Sequence, residues 1–276
     1  MLKARVLTSL VLVAGFLGAV FLLPDMYWAF LMLAVIALAF HEWGGMAGLS
    51  TAGRYFYTVV PLLAGTLVIL ADDIGMAELQ PQVVFYAILM ATIFWLVVSP
   101  IWLTTRMLVR QPVVLAVIGI IILFPTWVAL VSMRGISPWL LLLVMATVWI
   151  ADISAYFAGK RFGKHKLAPQ ISPGKTWEGV FGAWLAVIVY GLILCTSLSL
   201  SYWLVVGLLG ITVLSVMGDL FESLIKRQAG VKDSGHVLPG HGGVLDRIDG
   251  LTSSMPIVMF FIYFPTYFMV IESFHA

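Results

Sequence analysis

The chain has 276 residues, of which 62% are hydrophobic and only 10% are charged. A soluble globular protein carries about 25% charged residues, so this composition excludes an ordinary water-soluble domain and indicates an integral membrane protein. The formal net charge of +2 is too small to indicate a nucleic-acid partner, and the single cysteine, Cys195, excludes an intrachain disulfide and a cysteine-based metal site.

Nine segments are apolar enough for a transmembrane helix, which needs about 20 such residues. In chain order they are 5–23, 26–43, 55–71, 82–99, 112–131, 138–158, 177–196, 202–225 and 251–271. The first is longer than the core of a typical secretory signal, and no small-residue cleavage site precedes Pro24. We therefore predict an all-α membrane protein with about nine transmembrane helices.

The basic residues predict the orientation of these helices. With the amino terminus inside, 14 of the 15 Lys and Arg residues fall on one side, and Arg134 alone falls on the other. The positive-inside rule assigns the basic side to the cytoplasm. We expect a cytoplasmic amino terminus and a periplasmic carboxyl terminus.

The last four predicted helices carry acidic residues at one membrane depth, near the cytoplasmic side. These residues are Asp152, Glu178, Asp219, Glu222, Asp246 and Asp249. A charge in hydrocarbon costs at least ~2.5–3.5 kcal/mol, so charged groups in membrane helices usually face a cavity. We predict one polar pocket that opens to the cytoplasm.

The stretch "KRQAGVKDSGHVLPGHGGVLDRIDG", residues 226–250, adds cations and glycines to these acids. Asp219, Ser223 and Lys226 share one helical face because they are spaced i, i+4, i+7. Carboxylates without cysteine suit a hard cation, and Mg²⁺ prefers one or two of them together with phosphate oxygens and water. Zinc is disfavoured because His236 and His241 lie in a glycine-rich loop without a third soft ligand nearby.

The basic residues of this stretch allow two interpretations. They could simply neutralise the acids in a solvated loop. The adjoining glycines favour anion binding, because Gly242 and Gly243 let backbone N–H groups approach an anion closely. Cations, exposed amides and metal-binding carboxylates together predict a site for a nucleoside triphosphate and phosphoryl chemistry.

A second polar stretch, "GKRFGKHKLAPQISPGKTWEG", spans residues 159–179. Its Gly-Lys-Thr is not a P-loop, because Pro169 stands where the first glycine belongs and no strand is expected before it. We predict instead that a helix starts at Ser172-Pro173 and that Lys175 binds phosphate. The neighbouring cations Lys160, Arg161, Lys164 and Lys166 are expected to anchor the chain at anionic lipid. His41-Glu42-Trp43 could touch the pocket, but an interfacial belt is the favoured interpretation.

Residues 223–249, "SLIKRQAGVKDSGHVLPGHGGVLDRID", resemble the signature of the phosphatidate cytidylyltransferases, also called CDP-diacylglycerol synthases. That pattern runs S-x-x-K-R, four residues, K-D, then P-x-H-G-G-x-x-D-R-x-D, and every fixed position is met. Residues 172–179, "SPGKTWEG", resemble the family's second motif. The resemblance implies transfer of the cytidylyl group of CTP to phosphatidate, giving CDP-diacylglycerol and pyrophosphate for phospholipid biosynthesis.

The resemblance also implies Mg²⁺ dependence with K⁺ as a companion ion, a homodimer, and a bacterial inner-membrane location with the active site facing the cytoplasm. Asp219, Lys226 and Asp246 would be catalytic, with Asp219, Asp246 and Asp249 as metal ligands. The expected substrate and phosphate contacts are Lys175, Ser223, Arg227, Lys232, His241, Gly242, Gly243 and Arg247. Residues 1–75 would form a three-helix region, 76–135 a two-helix region that could supply the dimer interface, and 136–276 a four-helix catalytic region.

Two other functions remain open from the residues. A CTP-dependent polyprenol or phytol kinase would use a similar site but release CDP. A membrane transporter could also carry acids in its helices, although the outer halves of these segments are apolar. A CDP-alcohol phosphotransferase is disfavoured because "DRIDGLTSS" does not supply its D-G-x-x-A-R motif.

Overall fold

The computed structural model describes residues 13–71, 79–237 and 242–275, with side chains for 13–71, 81–237 and 242–265. Its helices are α1 (Val13–Leu22), α2 (Asp25–Met46), α3 (Thr51–Ile69), α4 (Leu79–Ile93), α5 (Ser99–Thr105), α6 (Pro112–Ile136), α7 (Pro138–Phe162), α8 (Trp177–Leu198), α9 (Trp203–Gln228) and α10 (Leu245–His275). A π-helical turn, Phe94–Val98, joins α4 and α5 into one apolar rod.

Within these described residues, eight helical segments are long and apolar enough to cross a bilayer. They are α2, α3, the rod Pro81–Thr105, α6, α7, α8, α9 and the Leu245–Pro265 part of α10. Many large apolar side chains point outward, including Leu22 at 82% and Trp203 at 80% exposure. Such a surface is stable against lipid tails rather than water, so the chain is a helical integral membrane protein.

A small antiparallel hairpin interrupts the helices and corrects one prediction. Its strands are β1 (Lys166–Ala168) and β2 (Ser172–Thr176), so no helix starts at Ser172-Pro173. Pro173 has no N–H group and Gly174 is a poor helix former, whereas pairing with β1 satisfies the backbone. Helix α8 begins only at Trp177, where the Thr176 hydroxyl caps it by accepting the Gly179 N–H at 3.2 Å.

Two helix boundaries also differ from the predicted segments. Helix α9 continues to Gln228, so Lys226 is helical, and α10 begins at Leu245 rather than at 251. Asp246 and Asp249 therefore lie in the first turns of α10, where their i, i+3 spacing places them on one face. Pro256 is inside this helix and not near its end. Cys195 is buried, at 3% exposure, as expected for a small apolar side chain.

Helices α2, α3 and α6 form the amino-terminal bundle through buried aromatic side chains. Trp43 donates its indole N–H to the Leu115 carbonyl at 2.7 Å, and the Tyr57 hydroxyl donates to the Ala116 carbonyl at 2.7 Å. Gly119 makes room for both rings, since a Cβ there would lie 2.2 Å from the Tyr57 oxygen. These bonds satisfy polar groups that lipid could not.

Arg134, the cation predicted on the far side, is buried at 7% exposure. Its guanidinium donates to the Val20 carbonyl at 2.9 Å and also contacts the Leu23 carbonyl and the Asp25 carboxylate. The side chain therefore ties the ends of α1 and α2 to α6. Its contacts satisfy the charge inside the protein.

The four carboxyl-terminal helices pack closely because small residues lie between them. A Cβ at Gly182 of α8 would lie 2.3 Å from the Cβ of Ala158 on α7. Between α9 and α10, the Ser253 hydroxyl donates to the Leu214 carbonyl at 2.7 Å, and Gly218 lies directly against the Asp249 backbone. This close packing brings the acid-bearing ends of α7, α9 and α10 together.

Candidate active site

A cavity of about 490 Å³ lies between α7, the hairpin, α8, α9 and α10. Its charged lining residues are Asp152, Lys160, Lys175, Asp219, Asp246 and Asp249. The three predicted metal ligands and the predicted phosphate ligand Lys175 thus lie around one cavity. Small residues such as Gly159 and Gly179 line the same space and leave room between α7 and α8.

Asp246, in the first turn of α10, organises one wall of the cavity. Its Oδ1 accepts a hydrogen bond from Lys226 Nζ at 2.7 Å, and its Oδ2 accepts the Gly243 N–H at 2.8 Å. The Ser234 N–H also donates to this carboxylate, at 3.0 Å to Oδ2. These charge-assisted bonds fix both the carboxylate and the loop that precedes α10.

Asp219 and Lys175 also line the cavity and form a second ion pair. Lys175 Nζ lies 2.5 Å from Asp219 Oδ2, and the two side chains keep 23% and 32% of their surface exposed. The Ser223 hydroxyl donates to Asp219 Oδ1 at 3.3 Å. Strand β2 therefore supplies a cation to the acid of α9, and both groups remain accessible from the cavity.

Glu222 and Lys226 form a buried ion pair one helical turn apart on α9. Lys226 Nζ lies 3.4 Å from Glu222 Oε1, and the exposed fractions of the two side chains are 11% and 4%. Neither carboxylate oxygen of Glu222 accepts a hydrogen bond from the residues that the structure describes. Lys226 thus links a buried acid to Asp246, which lines the cavity.

Other predicted site residues lie away from the cavity wall. Arg227 donates to the Ile171 and Val231 carbonyls, both at 3.4 Å, and so holds the hairpin to the end of α9. Lys232 and Arg247 are exposed at the surface. Their phosphate-binding roles stay predictions.

The glycine-rich segment is seen only in part. His241 lies outside the described residues. The Gly243 N–H is bonded to Asp246, so in this arrangement it does not point to an anion in the cavity. Gly242 has φ +84°, which other residues rarely adopt, and a Cβ there would lie 2.7 Å from Asp246 Oδ2.

Two acids expected in the pocket have other positions. Glu178 accepts the His165 N–H, at 3.2 Å, and its Oε1 lies 2.6 Å from His165 Nδ1, so it holds the hairpin to α8. Glu222 lies beneath the cavity and does not line it. The acids that do line the cavity are Asp152, Asp219, Asp246 and Asp249, and two lysines, Lys160 and Lys175, line it with them.

Glu42 is the residue that the sequence interpretation missed. It does not belong to an exposed interfacial belt: it is buried at 2% exposure at the end of α2. Its carboxylate accepts the N–H groups of Val244 and Leu245 at 2.9 and 2.8 Å, and the Ser234 hydroxyl at 3.0 Å. The available signal was a carboxylate within an apolar segment, which usually indicates a polar partner.

The donor chemistry of the cavity fits a hard cation. Asp152, Asp219, Asp246 and Asp249 offer carboxylate oxygens around one space. Across the described ranges, no three acidic, histidine or cysteine side chains stand close enough together to hold a metal ion. Mg²⁺ in phosphoryl-transfer sites takes only one or two carboxylates and completes its coordination with substrate phosphates and water, so the carboxylates present suit it.

Comparison with known proteins agrees with this geometry. The sequence profile of the Cytidylyltransferase family matches residues 3–265. The chain belongs to this family. It is 40% identical over 273 residues to the phosphatidate cytidylyltransferase of Pseudomonas aeruginosa, covering 93% of this chain and 95% of the relative.

Two further cytidylyltransferases are similar to the chain. The phosphatidate cytidylyltransferase of Haemophilus influenzae is 34% identical over 289 residues, covering 96% of this chain and 99% of the relative. The enzyme of the same name from Thermotoga maritima is 43% identical over 132 residues, or 42% of this chain and 46% of the relative. The likeness to the first two extends over nearly the whole chain, so it includes the amino-terminal bundle.

Proposed function

We propose that this protein transfers the cytidylyl group of CTP to phosphatidate, giving CDP-diacylglycerol and pyrophosphate. The observation that carries the proposal is the cavity lined by Lys175, Asp219 and Asp246, in which Lys175 pairs with Asp219 and Asp246 pairs with the buried Lys226. The proposal is also supported by the similarity of the chain, over nearly its full length, to relatives named for this reaction.

The charges suit a reaction between two anions. A phosphate oxygen of the lipid attacks the α-phosphorus of CTP, the bond between the α-phosphorus and the bridging oxygen breaks, and pyrophosphate leaves. The lipid phosphate is already anionic near neutral pH, so the nucleophile needs little help from a general base. Lys175 and Lys226 would reduce the repulsion between the substrates and align them, which is the main catalytic requirement in phosphoryl transfer.

Asp219 and Asp246 would hold Mg²⁺, with Asp249 as a further ligand. Bound there, the ion would neutralise charge on the triphosphate and favour departure of pyrophosphate. K⁺ as a companion ion is part of the proposal because of the motif resemblance. Ser223, Arg227, Lys232, His241, Gly242, Gly243 and Arg247 complete the proposed substrate contacts.

The proposed setting is a bacterial inner membrane. We propose nine transmembrane helices, a cytoplasmic amino terminus and a periplasmic carboxyl terminus; the first predicted span, 5–23, lies partly outside the described residues. The basic side of the chain, with 14 of its 15 Lys and Arg residues, supports a cavity that opens to the cytoplasm, where CTP is available. The homodimer and the three-region division also stay predictions.

The test is an assay of purified protein in detergent–phosphatidate micelles with CTP labelled in the cytosine ring and, separately, in the γ-phosphate. We expect label from the ring in the lipid and label from the γ-phosphate in pyrophosphate. Excess EDTA should abolish both products, and added Mg²⁺ should restore them. Release of CDP, together with transfer of the γ-phosphate label to a polyprenol or phytol, would instead identify a kinase. Solute flux into liposomes without nucleotide would identify a transporter.

A further inference from the structure

Glu42 lies in the amino-terminal bundle, yet the hydrogen bonds that its carboxylate accepts from the described residues all come from the segment that precedes Asp246. Oε1 accepts the Val244 N–H at 2.9 Å, and Oε2 accepts the Leu245 N–H at 2.8 Å. Oε2 also accepts the Ser234 hydroxyl at 3.0 Å. Val244 and Leu245 are at the start of α10, where N–H groups lack partners within the helix. Glu42 caps α10 from another helix.

The loop before α10 is held between two carboxylates. Asp246 accepts the N–H groups of Ser234 and Gly243, while Glu42 accepts the Ser234 hydroxyl and the next two N–H groups, at 244 and 245. Each end of the loop is thus bonded both to Asp246, on the cavity side, and to Glu42, on the α2 side. Movement of Glu42 would therefore release the segment that orients Asp246.

Two glycines let the loop backbone lie directly on the Glu42 carboxylate. A Cβ at Gly235 would be 2.6 Å from Glu42 Oε1, and a Cβ at Gly243 would be 2.5 Å from Oε2. Real Cβ atoms do not approach oxygen so closely, so larger residues at either position would push the loop away. The backbone and the carboxylate therefore fit as one unit.

The negative charge of the Glu42 carboxylate is suited to a position at the amino-terminal end of α10. A buried carboxylate is costly in a membrane protein unless it is fully hydrogen-bonded. The amino-terminal end of α10 supplies both N–H donors and the positive end of the helix dipole, which favour an anion over a neutral amide. A neutral residue would cap the helix less well and could not accept all three bonds.

We propose that Glu42 is a positioning residue for the cytidylyl transfer: it fixes the described flanks of the loop, at 234 and at 243–245, so that Asp246 keeps its place at the cavity and its bond to Lys226. The inference rests on the proposed function. Glu42 does not line the cavity, and it acts through Asp246, whose Oδ1 lies 2.7 Å from Lys226 Nζ. Through Glu42 the amino-terminal bundle would thus support the site indirectly.

The test compares E42Q and E42D with W43F. Gln can accept at only one of its two terminal atoms, so E42Q should lower kcat, corrected for folded protein, about 10–100-fold, while KM for CTP and phosphatidate changes far less. E42D keeps the charge and should fall between E42Q and the unaltered chain. Trp43, the matched control, is buried next to Glu42 and bonds Leu115 instead of the loop, so W43F should lower stability but not corrected kcat.

Hydrogen exchange supplies a readout that does not depend on activity. In E42Q the amides at 242–248 should exchange faster, because Val244 and Leu245 lose their acceptor, while those of α8 should be unchanged. Corrected kcat of E42Q within about twofold of the unaltered chain, or an equal loss in W43F, overturns the inference. So does unchanged exchange at 242–248. If the unaltered chain forms no CDP-lipid, the proposed function fails, and the exchange data alone then decide the role of Glu42.

Discussion

Replacing Lys226 by Met removes one ammonium group from between two carboxylates and keeps most of the side-chain volume. Lys226 Nζ lies 2.7 Å from Asp246 Oδ1 and 3.4 Å from Glu222 Oε1. All three side chains are largely buried: the exposed fractions are 11% for Lys226, 10% for Asp246 and 4% for Glu222. We therefore expect K226M to reduce both stability and activity.

The structure sets the magnitude of the stability loss. At an effective dielectric constant of about 20, unit charges at 2.7 and 3.4 Å attract by about 6 and about 5 kcal/mol. Burying the ammonium group costs several kcal/mol, which offsets much of this attraction. Breaking a buried pair by removing one partner typically leaves a net loss of about 3–5 kcal/mol in the free energy of unfolding.

The double variant K226M/E222Q separates stability from catalysis. Glutamine at 222 removes the buried charge that K226M leaves without its cation, so the double variant should regain much of the lost stability. Its turnover should stay low, because Asp246 and the substrate phosphates still lack the ammonium group. The expected reduction in kcat is about 10²–10³-fold, as for loss of one electrostatic contact in an active site.

Unfolding in mixed micelles, followed by intrinsic fluorescence, measures the stability of the unaltered chain and both variants. CDP-lipid formation, corrected for folded protein, measures their turnover. If K226M proves as stable as the unaltered chain, the buried ion pair carries no net energy. If K226M/E222Q recovers full turnover, Lys226 acts through folding alone and has no part in catalysis.

Four other substitutions test the site and the packing of the helices that carry it. D219N and D246N should each abolish CTP-dependent CDP-lipid formation, because a neutral amide is a poor ligand for Mg²⁺. Both variants should still insert into membranes. Full activity in either variant would remove the metal assignment. G182A should cost about 1–3 kcal/mol of unfolding free energy, because its Cβ would lie 2.3 Å from that of Ala158 and force α7 and α8 apart. G207A should instead stabilise α9 by about 0.5–1 kcal/mol, because nothing lies within 4 Å of the added Cβ. Equal unfolding free energies for G182A and G207A in the same assay would contradict the close packing of α7 and α8.

The helical spans could be predicted from sequence because each depends on its own composition. Eight predicted segments correspond to long apolar helices, although their ends moved by several residues. The hairpin was missed because its strands are only three and five residues long and include Pro173. So short a strand pair is formed by its tertiary position, not by a local pattern.

The sequence could predict that Asp152, Asp219, Asp246 and Asp249 share one pocket, and all four line the cavity, but it could not predict their ion pairs. The spacing of Asp219, Ser223 and Lys226 predicted a shared helical face, and Asp219 and Ser223 do bond each other. Glu42 could not be assigned from sequence, since 202 residues separate it from Val244. A carboxylate at the end of an apolar helix fits a hydrated membrane interface as well as a buried cap.

The sequence by itself determined that this chain is a membrane protein and where most of its helices run. Those properties follow from the free-energy cost of placing backbone and charged groups in hydrocarbon, which depends on the composition of each segment separately. Only the tertiary structure decided that Lys175 pairs with Asp219, that Lys226 pairs with Asp246, and that Glu42 caps α10. These contacts join distant parts of the chain, and they depend on how closely the helices approach one another.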